Sequence, residues 1–312
     1  MAFPPAFFVG ANLPWIRYGG DFGASRWAPA GGVSQHAEPQ RIASLFDTLQ
    51  SHGVTTVRWF VLCDGRAGMR FANDGTPVGL DDAVFRDLDT ALEWTDRAGL
   101  GLLPALLDFH WCLPRRFVNG VQLGGRRSVI ANSTRRQQLI ECIFEPLFAR
   151  YAQDPRIHGW DLINEPEWVT LGVGTWDPRR SVSRAAMRAF IRDASAVAHR
   201  VAGQPVTVGS ASTRWLRFVS GLGLDFYQPH WYDSFERRSP LSTPVSALGC
   251  DAPVVLGEFP TRGSARDPSV LIEMARAAGY RGALFWSVLA EDSATDFTRA
   301  QEALTNWAGR TV

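Results

Sequence analysis

The chain has 312 residues, 46% hydrophobic and 20% charged, with 32 basic residues against 31 acidic ones. That balance gives no electrostatic footprint for nucleic acid or an anionic membrane. Every basic residue is an arginine, which excludes a Schiff-base lysine and a Walker A phosphate loop. Cys63, Cys112, Cys142 and Cys250 are widely spaced without a CxxC pair and read as free core thiols, with two disulfides left open. The first fifteen residues lack a basic n-region and their short apolar stretch is broken by prolines, so they do not read as a signal peptide. No segment approaches the roughly 18 apolar residues of a membrane span. A complete chain is expected to be soluble and cytoplasmic; one from which a leader has been removed would be secreted.

In chain order, Phe7–Leu13 reads as a strand and is followed by a long segment, Pro14–Glu38. Gln40–His52 places Ile42, Leu45, Phe46 and Leu49 at helical spacing and stops at Gly53. A strand at Thr55–Leu62, the segment Cys63–Leu80 and a helix at Asp81–Arg97 come next. Gly101–His110 (strand), Trp111–Ser133 (loop), Thr134–Tyr151 (helix) and His158–Glu165 (strand) repeat the order. Pro166–Val182 leads to a helix at Ser183–Val201 and a strand at Val206–Ser210, with a short helix near Trp215–Ser220. Asp225–Tyr232 (strand), Asp233–Thr243 (loop), a short helix near Pro244–Leu248 and Val254–Phe259 (strand) follow. Pro268–Ala278 (helix), Gly282–Val288 (strand) and Thr298–Trp307 (helix) complete the series. Eight continuous apolar strands, each followed by a helical pattern, predict one α/β domain over residues 1–312, a (β/α)8 TIM barrel. A doubly wound sheet is the runner-up, but no GxGxxG follows an early strand. The long segments all follow strands, which predicts long loops at the C-terminal face, where barrel active sites sit.

Two carboxylates close apolar runs ahead of proline. Glu165 ends Trp160-Asp161-Leu162-Ile163-Asn164-Glu165-Pro166, and Glu258 lies in Leu256-Gly257-Glu258-Phe259-Pro260. Strand tips of one barrel converge, and paired carboxylates there suit glycosidic cleavage. One protonates the leaving oxygen while the other attacks the sugar or activates water. Taken alone, such an acid is usually a capping or loop-anchoring residue.

The sequence resembles the retaining glycoside hydrolases of the large (β/α)8 clan that includes family 5, the cellulase- and mannanase-like enzymes. The resemblance rests on Asn164-Glu165-Pro166 at the fourth strand and Glu258 at the seventh. It extends to Arg58 after strand two, His110 at strand three, His230 and Tyr232 at strand six, and Trp286 at strand eight. The segment Asn12–Gly32 is longer than expected after the first strand of a typical endoglucanase, a departure that bears on substrate and exact family. The resemblance implies a retaining β-glycosidase acting on a β-linked oligosaccharide or polysaccharide. In it Glu258 is the nucleophile, kept ionised by Arg58 and Tyr232, and Glu165 is the acid/base, its pKa raised by the Glu258 charge. Asn164 would bind the sugar 2-hydroxyl, His110 and His230 would orient hydroxyls and acids, and Trp286 would offer the sugar an apolar face. No cofactor and no metal are expected; six histidines show no HxH or HxxxH grouping.

The chain has twelve tryptophans, and Trp15, Trp27, Trp111, Trp168, Trp176 and Trp231 fall in the face loops. Trp111 or Trp168 is expected as a sugar contact. Gly124-Gly125-Arg126-Arg127 reads as a solvated or mobile loop rather than an anion site. A sugar-binding barrel without catalysis is the rival, disfavoured by two intact glutamates, and a transglycosylase would use the same residues.

Overall fold

Apolar runs without alternation must be covered on both faces, and helices on one side with side chains filling the other meet that need. The computed structural model describes residues 6–236 and 239–308 and forms such a barrel. Residues 1–5 of the N-terminal stretch read above for a leader, and residues 237–238 of the loop Asp233–Thr243, lie outside the described residues. The barrel strands are β1 (Phe8–Asn12), β2 (Val54–Cys63), β3 (Gly101–Asp108) and β4 (Trp160–Asn164). They continue with β5 (Val206–Ser210), β6 (Gln228–Pro229), β7 (Leu256–Pro260) and β8 (Gly282–Trp286). All pairings among them are parallel, in the order β6-β5-β4-β3-β2-β1-β8-β7. Parallel pairing of Tyr227 with Val254 and His230 with Glu258 closes the ring between β6 and β7.

The two faces of β2 show how the barrel is filled. Val57, Trp59 and Val61 are buried in the main core, and Trp59 packs on Phe46 of the helix Pro39–Ser51 at 6.0 Å and on Phe22 at 5.2 Å. Arg58 and Phe60 alternate with them and point into the barrel, as a period of two requires. A small apolar cluster of Phe8, Leu103, Phe226, Val255 and Leu284 forms a separate group on the inner side. Polar side chains therefore lie in the barrel only where partners from other strands meet them.

The expected helices are present, with differences that have local causes. Pro268–Ala278 begins behind an Asp267 cap and ends at Gly279 in the left-handed region. The expected helix Thr134–Tyr151 runs from Ser133 to Arg150, but Ile140–Phe144 is wound more widely as a π turn. Pro146 supplies no N–H just beyond it, so the regular ladder cannot pass through unchanged. Two hairpins in the face loops were not anticipated: Met69–Phe71 pairs with Pro77–Leu80, and Arg116–Val118 with Val121–Leu123. Asn119 and Gly120 both adopt positive φ between the latter pair, the two-residue turn that Asn-Gly favours.

A buried carboxylate helps tie the long loop after β1 to the barrel. Asp87, on the helix Asp82–Arg97, accepts hydrogen bonds from the backbone N–H groups of Gly23, Gly32 and Ser34, at 2.7, 2.8 and 2.8 Å. Replacing Asp87 by alanine strands these donors. An unmet buried donor costs about 1–3 kcal/mol, so D87A is expected to lower unfolding free energy by roughly 3 kcal/mol or more, read by urea denaturation.

Candidate active site

Arg58 stands at the centre of the barrel, completely buried. Its Nε donates to Asp161 Oδ2 at 2.9 Å, and its Nη1 donates to Asn12 Oδ1 at 3.0 Å and to Glu258 Oε1 at 2.9 Å. Nη2 donates to Asn164 Oδ1 at 2.7 Å. Burial opposes the guanidinium charge, but Asp161 and Glu258 outweigh it and raise its pKa. With Asn164 Oδ1 occupied, the amide N–H groups of Asn164 are what it offers to the pocket it lines.

Glu258 Oε2 accepts the Tyr232 hydroxyl at 2.7 Å and lies 3.4 Å from His230 Nδ1. Burial pushes the Glu258 pKa above the usual carboxylate range, while His230, Arg58 and the Tyr232 hydroxyl pull it back. Glu165 follows β4 with a left-handed backbone, φ 48°, a sparsely populated conformation for a residue with a side chain. Its Oε1 is 2.9 Å from His230 Nδ1, and its Oε2 accepts the Trp168 indole N–H at 2.9 Å. Burial raises its pKa to about 7, the Trp168 bond lowers it, and the Asp108 carboxylate raises it. The expected leading cause, the Glu258 charge, is thus replaced by desolvation. His230 is buried and its pKa is depressed to about 4, so it is neutral near pH 7. With two carboxylates beside Nδ1 and no partner for Nε2 among the described residues, its proton belongs on Nδ1 when Glu165 is ionised.

Oxygens of Glu165 and Glu258 and a nitrogen of His230 lie within 4.8 Å of one another, a group that could in principle hold a metal ion. The two carboxylates already accept from Arg58, Tyr232 and Trp168, which suits charge and proton transfer better than cation coordination. The pocket above them is a cavity of about 590 Å³. Trp286 lines it, with its indole N–H donated to Asp292 at 2.8 Å, and His110 lines it with Nδ1 3.1 Å from Asp108. Arg58, His230 and the six pocket-lining residues Glu165, Glu258, His110, Asn164, Tyr232 and Trp286 thus come together at one barrel mouth.

Trp111 does not join them. It is fully buried, because the tight turn Phe109–Cys112 sends His110 to the pocket and Trp111 the other way, against Phe71 at 6.1 Å. Trp168 is half-buried between Trp215 and Phe235 and acts on Glu165 through its N–H, outside the pocket lining. Arg126 corrects the solvated-loop expectation: it is buried over the Phe71 ring at 3.8 Å and donates to the Gly65 carbonyl. Sequence reasoning missed Asn12, Asp161 and the pair Tyr18–Asp108, whose hydroxyl–carboxylate bond is 3.0 Å. For Asp161 a signal existed, since a charge inside an apolar run needs a buried partner.

No family model matches the sequence. A mannan endo-1,4-β-mannosidase of Mytilus edulis is 26% identical over 90% of this chain and 83% of its own. The structure of a β-mannanase from blue mussel superposes with a TM-score of 0.80 at 22% identity, covering 98% of this chain and 92% of that one. An endo-1,4-β-mannanase from Eisenia fetida gives 0.79 at 24% identity, covering 98% and 91%. A family 5 mannosidase from Rhizomucor miehei gives 0.60 at 13% identity, covering 98% and 94%. The chain shares the barrel fold of these enzymes, and its likeness to them supports a β-glycoside hydrolase. Within the described residues, no helix is long and apolar enough to cross a membrane.

A glycoside hydrolase whose acid must start protonated loses activity as pH rises through that acid's pKa. With Glu165 held at about 7, kcat/KM is expected to fall with an alkaline limb near pH 7. In W168F the lost donor no longer favours the ionised form, so that limb should move to higher pH; a pH–rate profile decides it. At Gly209, a Cβ would lie 2.6 Å from Arg58 Nη2 and 3.1 Å from Asp161 Oδ2. G209A should therefore displace Arg58 and cut kcat on the order of 100-fold, the scale of losing one fixed electrostatic contact, measured by steady-state kinetics.

Proposed function

We infer that this glycoside hydrolase cleaves internal β-1,4-mannosidic bonds by double displacement, with Glu258 as nucleophile and Glu165 as acid/base. One observation carries the mechanism: oxygens of the two carboxylates approach within 4.8 Å. Direct attack on the anomeric carbon uses a separation of about 5–5.5 Å, whereas an interposed water needs about 6.5–9.5 Å. In the first step Glu258 bonds to the anomeric carbon as Glu165 gives its proton to the leaving glycosidic oxygen. In the second, Glu165 takes a proton from water, whose oxygen replaces Glu258 at that carbon. Donor and nucleophile are both side chains of this chain, so the reaction calls for no metal or cofactor.

Desolvation keeps Glu165 protonated near neutral pH, and the buried Arg58 carries the Glu258 charge. Trp286 and Trp15, with ring centroids 5.9 Å apart, supply apolar faces against which a pyranose ring stacks. The mannan specificity and internal cleavage are supported by the relatives, named as endo-acting mannanases from two animals. The catalytic unit is read as the whole of residues 1–312, because the site draws on strands from β1 to β8.

Incubation with an activated 2-deoxy-2-fluoro-β-mannoside should leave one covalent sugar per chain, mapped by digestion at arginine to the peptide holding Glu258. An adduct on another residue would overturn the role assignment, and labelling only by the gluco or galacto analogue would overturn the sugar. Mannohexaose should yield oligosaccharide fragments; release of mannose alone from the start would overturn internal cleavage.

A further inference from the structure

Beside the catalytic pocket lies a second cavity of about 330 Å³, and the two share Arg66, His110 and Arg116 in their walls. The second cavity is also lined by Asp64 and Arg180. Its charge is lopsided. Asp64 is consumed by Arg66, which grips it with Nε and Nη2 at 2.8 and 2.9 Å. Arg116 and Arg180 are exposed and make no ion pair among the described residues. They reach the cavity from different loops, those after β3 and β4. Two like charges converging on one concavity repel unless an anion sits between them.

The composition of the loop sharpens the point. Residues 111–133 hold Arg115, Arg116, Arg126 and Arg127 and no acidic residue. Arg127 is tied to the carbonyls of Pro178 and Ser181, and Arg126 to that of Gly65, so the loops are fixed by some arginines while others face solvent. Exposed aromatics stand nearby: Phe117 next to Arg116, Trp176 four residues before Arg180, and, on the loop after β1, Trp27, whose ring lies 5.9 Å from the Arg66 guanidinium.

Donor chemistry distinguishes the occupant. A sugar hydroxyl both donates and accepts, and carboxylate or amide side chains usually meet it; arginine only donates. A carboxylate or sulfate oxygen only accepts, and the planar guanidinium fork fits it in a bidentate manner. We propose that the cavity formed by Arg66, Arg116 and Arg180 is a subsite for an acidic substituent, carboxylate or sulfate ester, on the β-linked glycan in the catalytic pocket. The proposal rests on the glycan-cleaving reading above. It assigns the enzyme to acid-bearing β-glycans, with the exposed aromatics providing stacking faces for sugar residues beyond the pocket.

The test compares four probes: β-1,4-mannohexaose, the same oligosaccharide partly oxidised at C6 to uronate, its methyl ester, and a partly sulfated form. Both kcat/KM and calorimetric binding are measured. Uronate or sulfate should exceed the neutral probes about tenfold at low salt, and the gap should close at high salt. Which acid shows the larger gap identifies the source. Arg180 is exposed and outside the catalytic pocket, so R180E should erase the gap while turnover of the neutral oligosaccharide stays unchanged. Equal values for acidic and neutral probes, or a gap that survives R180E, would overturn the subsite. Failure to hydrolyse any probe would instead overturn the catalytic reading, and binding would still report on the subsite.

Discussion

The site depends on a buried cation that must never be left alone. Removing a guanidinium from water costs several kcal/mol even after relaxation, and only well-placed partners offset it. Arg58 finds them on three other strands: Asn12 on β1, Asp161 and Asn164 on β4, and Glu258 on β7. Each bond restrains the side chain that accepts it, so the cost of burying one charge fixes several functional groups at once. The double partnership with carboxylates also has a chemical consequence. In the proposed mechanism Glu258 loses its charge on becoming an ester, and Asp161, also held by Gly209 N–H and Gln228, still neutralises Arg58. On that reading Glu258 can pass between charged and neutral states without stranding a cation in the core.

The two catalytic candidates differ by what surrounds them. Glu258 has a permanent positive charge at 2.9 Å, whereas the close side-chain partners of Glu165 among the described residues are Trp168 and a neutral His230. Burial raises the pKa of both, but only Glu258 has Arg58 directly paired to its carboxylate. The difference makes one group suited to keeping a negative charge and the other to holding a proton near neutral pH. Glu167 adds to the isolation of Glu165: it too is buried, desolvation lifts its pKa to about 8, and its Oε2 accepts from Ala211 N–H. The segment after β4 thus carries two acids that resist ionisation side by side.

Strands and helices were legible where one physical demand dominated. Val206–Ser210 and Pro268–Ala278 have the bounds the sequence suggests, because an apolar run or a capped amphipathic stretch leaves no alternative. Asp225–Tyr232 shrinks to Gln228–Pro229, although isolated pairings at Tyr227 and His230 still close the ring. The three-residue strands around Asn119-Gly120 are too short for alternation to register, and the Asn-Gly pair between them was the one signal, left unread. In the site, strand-tip residues such as Glu165 and Trp286 were legible because polarity or bulk interrupts an apolar run. Asn12 was not, since a run buried on both faces conceals which face a residue takes, and Asp161 was legible only as a charge in need of a buried partner. Trp111 was misjudged for a related reason: neighbours in a tight turn point opposite ways, and His110 took the pocket.

Net charge conceals more than it reveals in this chain. A total of +1 excludes a molecule-wide field but says nothing of one loop carrying four arginines and no acid. Such imbalance is tolerable because backbone geometry is secured elsewhere. Asp87 ties down the loop after β1, and Arg126, lodged between Phe71 and Trp111, joins the loops after β2 and β3. Once those anchors hold the chain, residues on the outer rim contribute little to stability and are free to differ in charge and shape. The barrel-interior groups bonded to Arg58 have no such freedom. Reaction chemistry is therefore bound to the strands, while what the enzyme accepts beside the scissile bond is set by loops whose composition the core does not constrain.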